Sequence, residues 1–249
     1  MADYDYKAGK KRIEDILDNV LEVKEKTKIP KDSEFTYNNG YYGWVTSIFV
    51  DIRDSSTLFG DEDKEKVSKV IRSFTSEIIE ILRKDDNLRE IGIRGDCVYG
   101  IYATPKKLDI VEVVDMAFYI NTYMNMLDKL LSKKGLPSIQ VGIGVASAEE
   151  LVVKAGRKDT GINNKVWIGK AVTGGANLSS LGSKNGLARI VVSSCTYNNV
   201  IDELCERNKE KDVKSWFTYH NDTDYGVYYD ANVVKSQFDK WINEGMKEE

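Results

Sequence analysis

The chain predicts an α+β fold of ferredoxin-like topology, with helices packed on one side of a mainly antiparallel sheet. Three observations carry this reading. Hydrophobic periodicity runs in the order strand, helix, hairpin, helix, strand. Gly95 and Asp96 join two short β-prone runs in IGIRGDCVYGIYA, the mark of a tight hairpin. No repeat or low-complexity linker interrupts the 249 residues, so one main domain accounts for the length.

Taken in order, Ile13, Ile16, Leu17, Val20 and Leu21 follow helical spacing and predict an amphipathic helix that stops by Pro30. Packing on the domain and pairing with a second copy are equal alternatives for its apolar face. A loop at Asn38, Asn39 and Gly40 then leads into a strand near Tyr42 to Ile52. Val67, Val70, Ile71, Phe74 and Ile78 predict the next helix, its start favoured by the acidic Asp61 to Asp63 segment. The hairpin follows and Pro105 closes it. Ile110, Val113, Val114, Ala117, Met124, Leu127 and Leu131 trace a long helix ending near Gly135 and Pro137. SIQVGIGVAS, Ser138 to Ser147, is a strand with ELVVKAG as its expected partner after a turn, and Gly156 to Lys165 reads as a polar loop. A small-residue helix from about Gly169 to Leu181 precedes the strand ARIVVS and a helix with Val200, Ile201 and Leu204. Two strands around Trp216 and Tyr228 and an amphipathic segment with Val233, Val234, Phe238, Trp241 and Ile242 complete the chain.

Composition excludes several classes of function. With 36 basic and 40 acidic residues the net charge is -4, so no nucleic-acid partner is expected. No apolar run approaches a membrane span and the N-terminus is polar, so the expected location is the cytoplasm, away from any membrane. Cys97, Cys195 and Cys205 are too scattered for a disulfide framework or a zinc site. His220, the single histidine, reads as a surface loop residue. Any chemistry therefore runs on carboxylates and oxygen-loving metals.

The segment SIFVDIRDSS places Asp51 inside an apolar run. A carboxylate there needs a cation, hydrogen-bond donors or a metal. In a ferredoxin-like sheet the hairpin lies beside this strand, which brings Asp96 towards Asp51. Two close carboxylates are stable together chiefly around a divalent ion, and oxygen ligands favour Mg²⁺ or Mn²⁺, shared with a substrate phosphate. The alternative pairs Asp51 with Arg53 or Arg94 and leaves Asp96 as a turn residue.

IFVDIRDSS, IGIRGDCVYGIY, IQVGIGVAS, VWIGKAVTGGANLSSLG and ARIVVSSCTY stand in an order and spacing that resemble the class III nucleotidyl cyclase domain over about Tyr42 to Tyr229. The resemblance implies two divalent metals, Mn²⁺ or Mg²⁺, bound by Asp51, Asp96 and the backbone carbonyl of Ile52. It further implies a homodimer with the site at its interface, and a 3′,5′-cyclic nucleotide plus pyrophosphate made from a nucleoside triphosphate. The organisation expected is an N-terminal helix and lead-in over 1–40, a catalytic domain over 41–230 and a C-terminal helix over 231–249.

The departures bear on specificity. Adenylate cyclases have Lys where this chain has Gly92, and Asp where it has Val166. Without polar groups at these positions the contacts that select a purine are missing. This pattern, with GRKDTGINNKVWIGKAV, resembles the pyrimidine cyclases of the bacterial Pycsar antiphage system. That implies cyclic UMP or cyclic CMP, with UTP favoured over CTP, read by a separate cyclic-nucleotide-activated effector; no residue here argues for uracil. The transition-state Asn and Arg of the family align with Thr173 and Asn177, neither of them charged. Lys170, Arg157, Lys158 and Lys214 are candidates for the missing charge. Gly174 and Gly175 suit either close phosphate approach or a dimer partner. Phe49, on the Asp51 face of its strand, suits a wall beside the base or core packing; Trp44, Trp167 and Tyr99 read as core or interface residues. A non-catalytic cyclase-homology domain that binds a nucleotide or a partner is the competing function. Retention of both aspartates argues against it.

Overall fold

The computed structural model describes residues 3–55, 63–157 and 160–247. Asp61 and Lys158 lie outside them. Among the described residues one sheet of nine strands runs through the molecule. Its path is β3 (Leu88–Arg94), β4 (Cys97–Ala103), β2 (Asn39–Ile52), β5 (Val141–Gly156), β7 (Ile190–Ser193), β9 (Gly226–Ala231) and β8 (Phe217–Asp222). β1 (Glu22–Glu25) joins β2, and β6 (Asn163–Gly169) joins β5. All pairings are antiparallel except β1 with β2 and β5 with β7.

The two-residue alternation of β2 divides its side chains between two environments. Ile48, Val50 and Ile52 enter the main core with Val141, Ile143 and Val145 of β5. That core is closed by α2 (Lys64–Leu82), α3 (Lys107–Lys133) and α5 (Ser194–Arg207). Ser47, Phe49 and Asp51 belong to the other row of the strand, with Gly142, Gly144 and Ala146 beside them on β5. α4 (Lys170–Ser179) lies over this second row. Asp51 therefore interrupts an apolar run in sequence without entering the main core.

Glycine makes that packing close. A Cβ at Gly144 would sit 2.1 Å from the Gly175 carbonyl oxygen, and one at Gly142 would sit 2.0 Å from that of Ser179. Gly175 itself would meet the Ser47 hydroxyl at 2.2 Å. Gly175 thus serves contact between α4 and its own sheet, a use the sequence reading did not consider.

Other differences have local causes. α1 spans Tyr6–Leu17 only; Asp18 caps it, Val20 and Leu21 fall beyond, and the lead-in then supplies β1. Its Ile13, Ile16 and Leu17 are exposed, so the protomer does not cover this apolar face. β2 begins at Asn39, so Asn39 and Gly40 are strand residues and not a loop. ELVVKAG is the second half of β5, since no turn residue breaks Ser147 to Glu150 and β2 is long enough to pair along the strand from Gly40 to Ile52. β6 takes Asn163 to Lys165 from the expected loop into a hairpin with β5. His220 is a β8 residue, its Nε2 2.9 Å from Asp230 Oδ1 and its ring stacked on Tyr228. α6 (Ser236–Asn243) ends the fold with Ile242 buried.

Candidate active site

Asp51 stands near the C-terminal end of β2, paired with Cys97 of β4. Asp96 immediately precedes Cys97 in the turn, where Gly95 has φ +61°. A positive φ at the first central residue alone is the type II′ pattern that fits a twisted hairpin. The turn thereby brings two carboxylates together from residues forty-five apart. The Asp51 carboxyl is pushed above its ordinary range by burial; Arg53 opposes this, Asp96 adds to it and Lys184 pulls it down. Cys97, beside them, is held inert as burial pushes its thiol up to about 12.

Arg53 does occupy the place of a partner: its Nη2 donates to Asp51 Oδ2 at 3.0 Å. The guanidinium is also committed elsewhere, donating to the carbonyl of Ser179 at 2.7 Å and of Ser180 at 2.9 Å. Arg94, the other candidate, is exposed. Both Asp51 with Arg53 and Asp51 with Asp96 are therefore real neighbours. Among the described residues no three His, Cys, Asp or Glu side chains gather as a metal-binding group. Asp51 and Asp96 nonetheless offer oxygen donors alone, the kind that Mg²⁺ and Mn²⁺ accept while keeping places for phosphate and water.

Next to the carboxylates along the same sheet rows lies an aromatic surface. Phe49 stacks on Tyr99, with centroids 5.2 Å apart and ring planes 15° apart. Tyr99 also covers Gly92: a Cβ there would stand 2.6 to 2.8 Å from its ring and hydroxyl. The space of the missing polar reader is occupied by an aromatic from the neighbouring strand. The Tyr99 hydroxyl donates to Glu90 Oε1 at 2.9 Å, and Trp167 Nε1 donates to Glu90 Oε2 at 2.8 Å. Val166 lies beside Trp167 on β6, with an exposed side chain. The sequence reading missed Glu90; its only signal was an acid two residues before Gly92 on the same strand face.

Lys170, Thr173 and Asn177 lie on α4 and line a cavity of about 770 Å³ with Trp44, Cys195 and Tyr225. Asp51 and Asp96 do not line it. The Thr173 hydroxyl donates to the Gly169 carbonyl at 2.8 Å, so its proton is used inside the helix. Asn177 is exposed. Of the candidate cations in the described residues, Lys170 alone lines this cavity; Arg157 is at the β5–β6 hairpin and Lys214 in the turn before β8. Lys184, in the loop after α4, was missed and is the lysine that acts on Asp51.

Residues 38–216 match the adenylate and guanylate cyclase catalytic domain. The chain belongs to this family. Class III cyclases depend on divalent metals in general and are typically dimeric. The chain is 57% identical over 243 residues to the uridylate cyclase of Treponema porcinum, covering 98% of this chain and 82% of that protein. It is 28% identical to the uridylate cyclase of Gulbenkiania mobilis, covering 97% and 96%. The fold is shared with the adenylyl cyclase CyaB from P. aeruginosa at TM-score 0.61 and 18% identity, over 77% of this chain and 95% of that one. In this cyclase domain no helix among the described residues is long and apolar enough to cross a membrane.

Proposed function

We propose that the chain is a metal-dependent uridylate cyclase that converts UTP into 3′,5′-cyclic UMP and pyrophosphate. The observation that carries this reading is the 57% identity to a uridylate cyclase over nearly the whole chain. Tyr99 over Gly92 supports it, because a site without polar groups at the two purine-reading positions has given up the contacts that select adenine. Asp51, Asp96 and the Ile52 carbonyl hold the divalent ions, Mn²⁺ or Mg²⁺. When bound, these ions acidify the ribose 3′-hydroxyl and stabilise charge on the leaving pyrophosphate. The 3′ oxygen bonds to the α-phosphorus, the bond from that phosphorus to the β-phosphate bridge breaks, and the hydroxyl proton passes to solvent. Phe49 and Tyr99 provide an apolar wall for the base, and Lys170 provides charge towards the phosphates. Two copies form a symmetric dimer in which each site draws carboxylates from one chain and α4 from the other. The product serves as an antiphage signal read by a separate effector.

The test is purified protein with Mn²⁺ and each ribonucleoside triphosphate in turn, with product analysis. Cyclic UMP from UTP is expected, and no cyclic product from any of the four would overturn the proposal. Asp51→Asn and Asp96→Asn are each expected to abolish product while the protein stays folded; full activity in either removes the metal-site assignment. The used proton of Thr173 and the uncharged Asn177 favour a second reading, a domain that binds nucleotide without turnover. Metal-dependent UTP binding without product supports that one.

A further inference from the structure

α4 begins without a cap of its own. Its N-cap is Gly169, which has no side chain to accept from the first amides, and its first turn holds no acid but the basic Lys170. A positive charge at a helix N-terminus is unfavourable, and orphan amides there need acceptors. The acceptor comes from another element. Glu150 of β5 is fully buried, and its Oε1 accepts from the amides of Ala171 and, at 3.3 Å, of Val172. Gly169 makes room for it, since a Cβ there would lie 2.7 to 2.9 Å from the carboxylate atoms. Glu150 Oε2 has no hydrogen-bond partner among the described residues. A fully buried acid with one unpartnered oxygen is costly, and a strand residue of the apolar kind would satisfy the sheet equally well.

The other end of α4 carries the opposite arrangement. Arg53, 8% exposed, donates to the carbonyls of Ser179 and Ser180, the last helical residue and its cap. An acceptor at the start and a cation at the end both complement the unpaired groups at the helix ends. Gly142 and Gly144 let the helix body settle on β5 between them.

We propose that Glu150 and Arg53 are positioning residues that hold α4 by its two ends, fixing the register at which Thr173 and Asn177 meet the substrate. This rests on the reading above that α4 serves the cyclase reaction. Neither residue touches the reacting atoms through α4. Glu150 is the one to test, because Arg53 also contacts Asp51.

The experiment compares wild type with Glu150→Gln, which keeps an acceptor, and with Glu150→Met and Glu150→Ala, which have none. Steady-state cyclic UMP formation with Mn²⁺ is read alongside amide hydrogen exchange over Ala171 and Val172. Loss of the acceptor is expected to lower kcat by about tenfold or more while KM for UTP moves less than about threefold, and to speed exchange at the two amides by about tenfold. Glu150→Gln is expected to stay close to wild type in both. An acceptorless, folded variant with wild-type kcat overturns the proposal, as does a Gln variant as damaged as Met. Collapse of the fold in both acceptorless variants would assign Glu150 to general stability and overturn it too. If wild type makes no cyclic nucleotide, the function above fails by itself; the exchange readout then still decides whether Glu150 holds the helix, and unchanged exchange sinks that part.

Discussion

A methyl group at Gly92 would press on the Tyr99 ring, which is held by a stack on Phe49 and a hydrogen bond to Glu90. Gly92→Ala is therefore expected to lower the unfolding free energy by roughly 1–3 kcal/mol. In urea titrations Gly92→Ala should add little to Tyr99→Leu, whereas additive losses would mean that the ring is not what the methyl group meets. Glu150 gives a second expectation at this scale. Burial raises its pKa while the two amides lower it, and the net direction is upward. The folded state thus holds the proton more tightly than the unfolded chain, so stability from this group is complete below the ordinary value of 4.5 and is lost as pH rises through the folded pKa. Wild-type stability relative to Glu150→Gln should accordingly fall across that window in denaturant titrations at stepped pH; a rise would reverse the assignment. The juxtaposition of Asp51 and Asp96 was legible because Asp51 is an acid in an apolar run and Gly95-Asp96 marks a hairpin that lies beside that strand. Glu90, Lys184 and the roles of Glu150 and Arg53 were not, since each depends on a contact between elements far apart in the chain.

Between β5 and α4 the backbones themselves are in contact, and this makes the pair sensitive to added volume. The Cβ of a residue at 144 would meet the Gly175 oxygen at 2.1 Å and the Ser179 nitrogen at 2.2 Å, neither of which can rotate away. Gly144→Ala is expected to lower Tm by several degrees at least, on the order of 1–3 kcal/mol, and to cost activity in whatever fraction remains folded. Thermal unfolding followed by circular dichroism checks the first part; an unchanged Tm would mean that α4 does not sit on β5 in solution. The periodicities placed α2, α3 and the β3–β4 hairpin, because each carries a local mark: an acid at the start of α2, Gly135 and Pro137 after α3, and the Gly-Asp turn of the hairpin. They divided β5 in two because nothing local marks a sixteen-residue strand as continuous, and only pairing along the fourteen-residue β2 explains it. They extended α1 too far for a similar reason, as Val20 and Leu21 keep the spacing after the backbone has left the helix.

At the level of the whole molecule, the ordered motifs made the cyclase domain readable, while the expected dimer rested on resemblance alone. One protomer keeps its carboxylate pair outside the cavity that Thr173 and Asn177 line, and leaves the apolar face of α1 exposed. A site completed by a second copy has a kinetic signature. Specific activity should decline on dilution in step with the loss of dimer by sedimentation, and activity that persists in a pure monomer would exclude the composite site. The separation of Asp51 from Asn177 also has a genetic meaning. Homodimers of Asp51→Asn carry two sites without their carboxylate, and homodimers of Asn177→Ala carry two with a defective helix. With a composite site, a mixed dimer would gather both lesions into one site and leave its twin whole. Two alleles, each silent alone, would together restore about a quarter of the normal complement of working sites under random pairing.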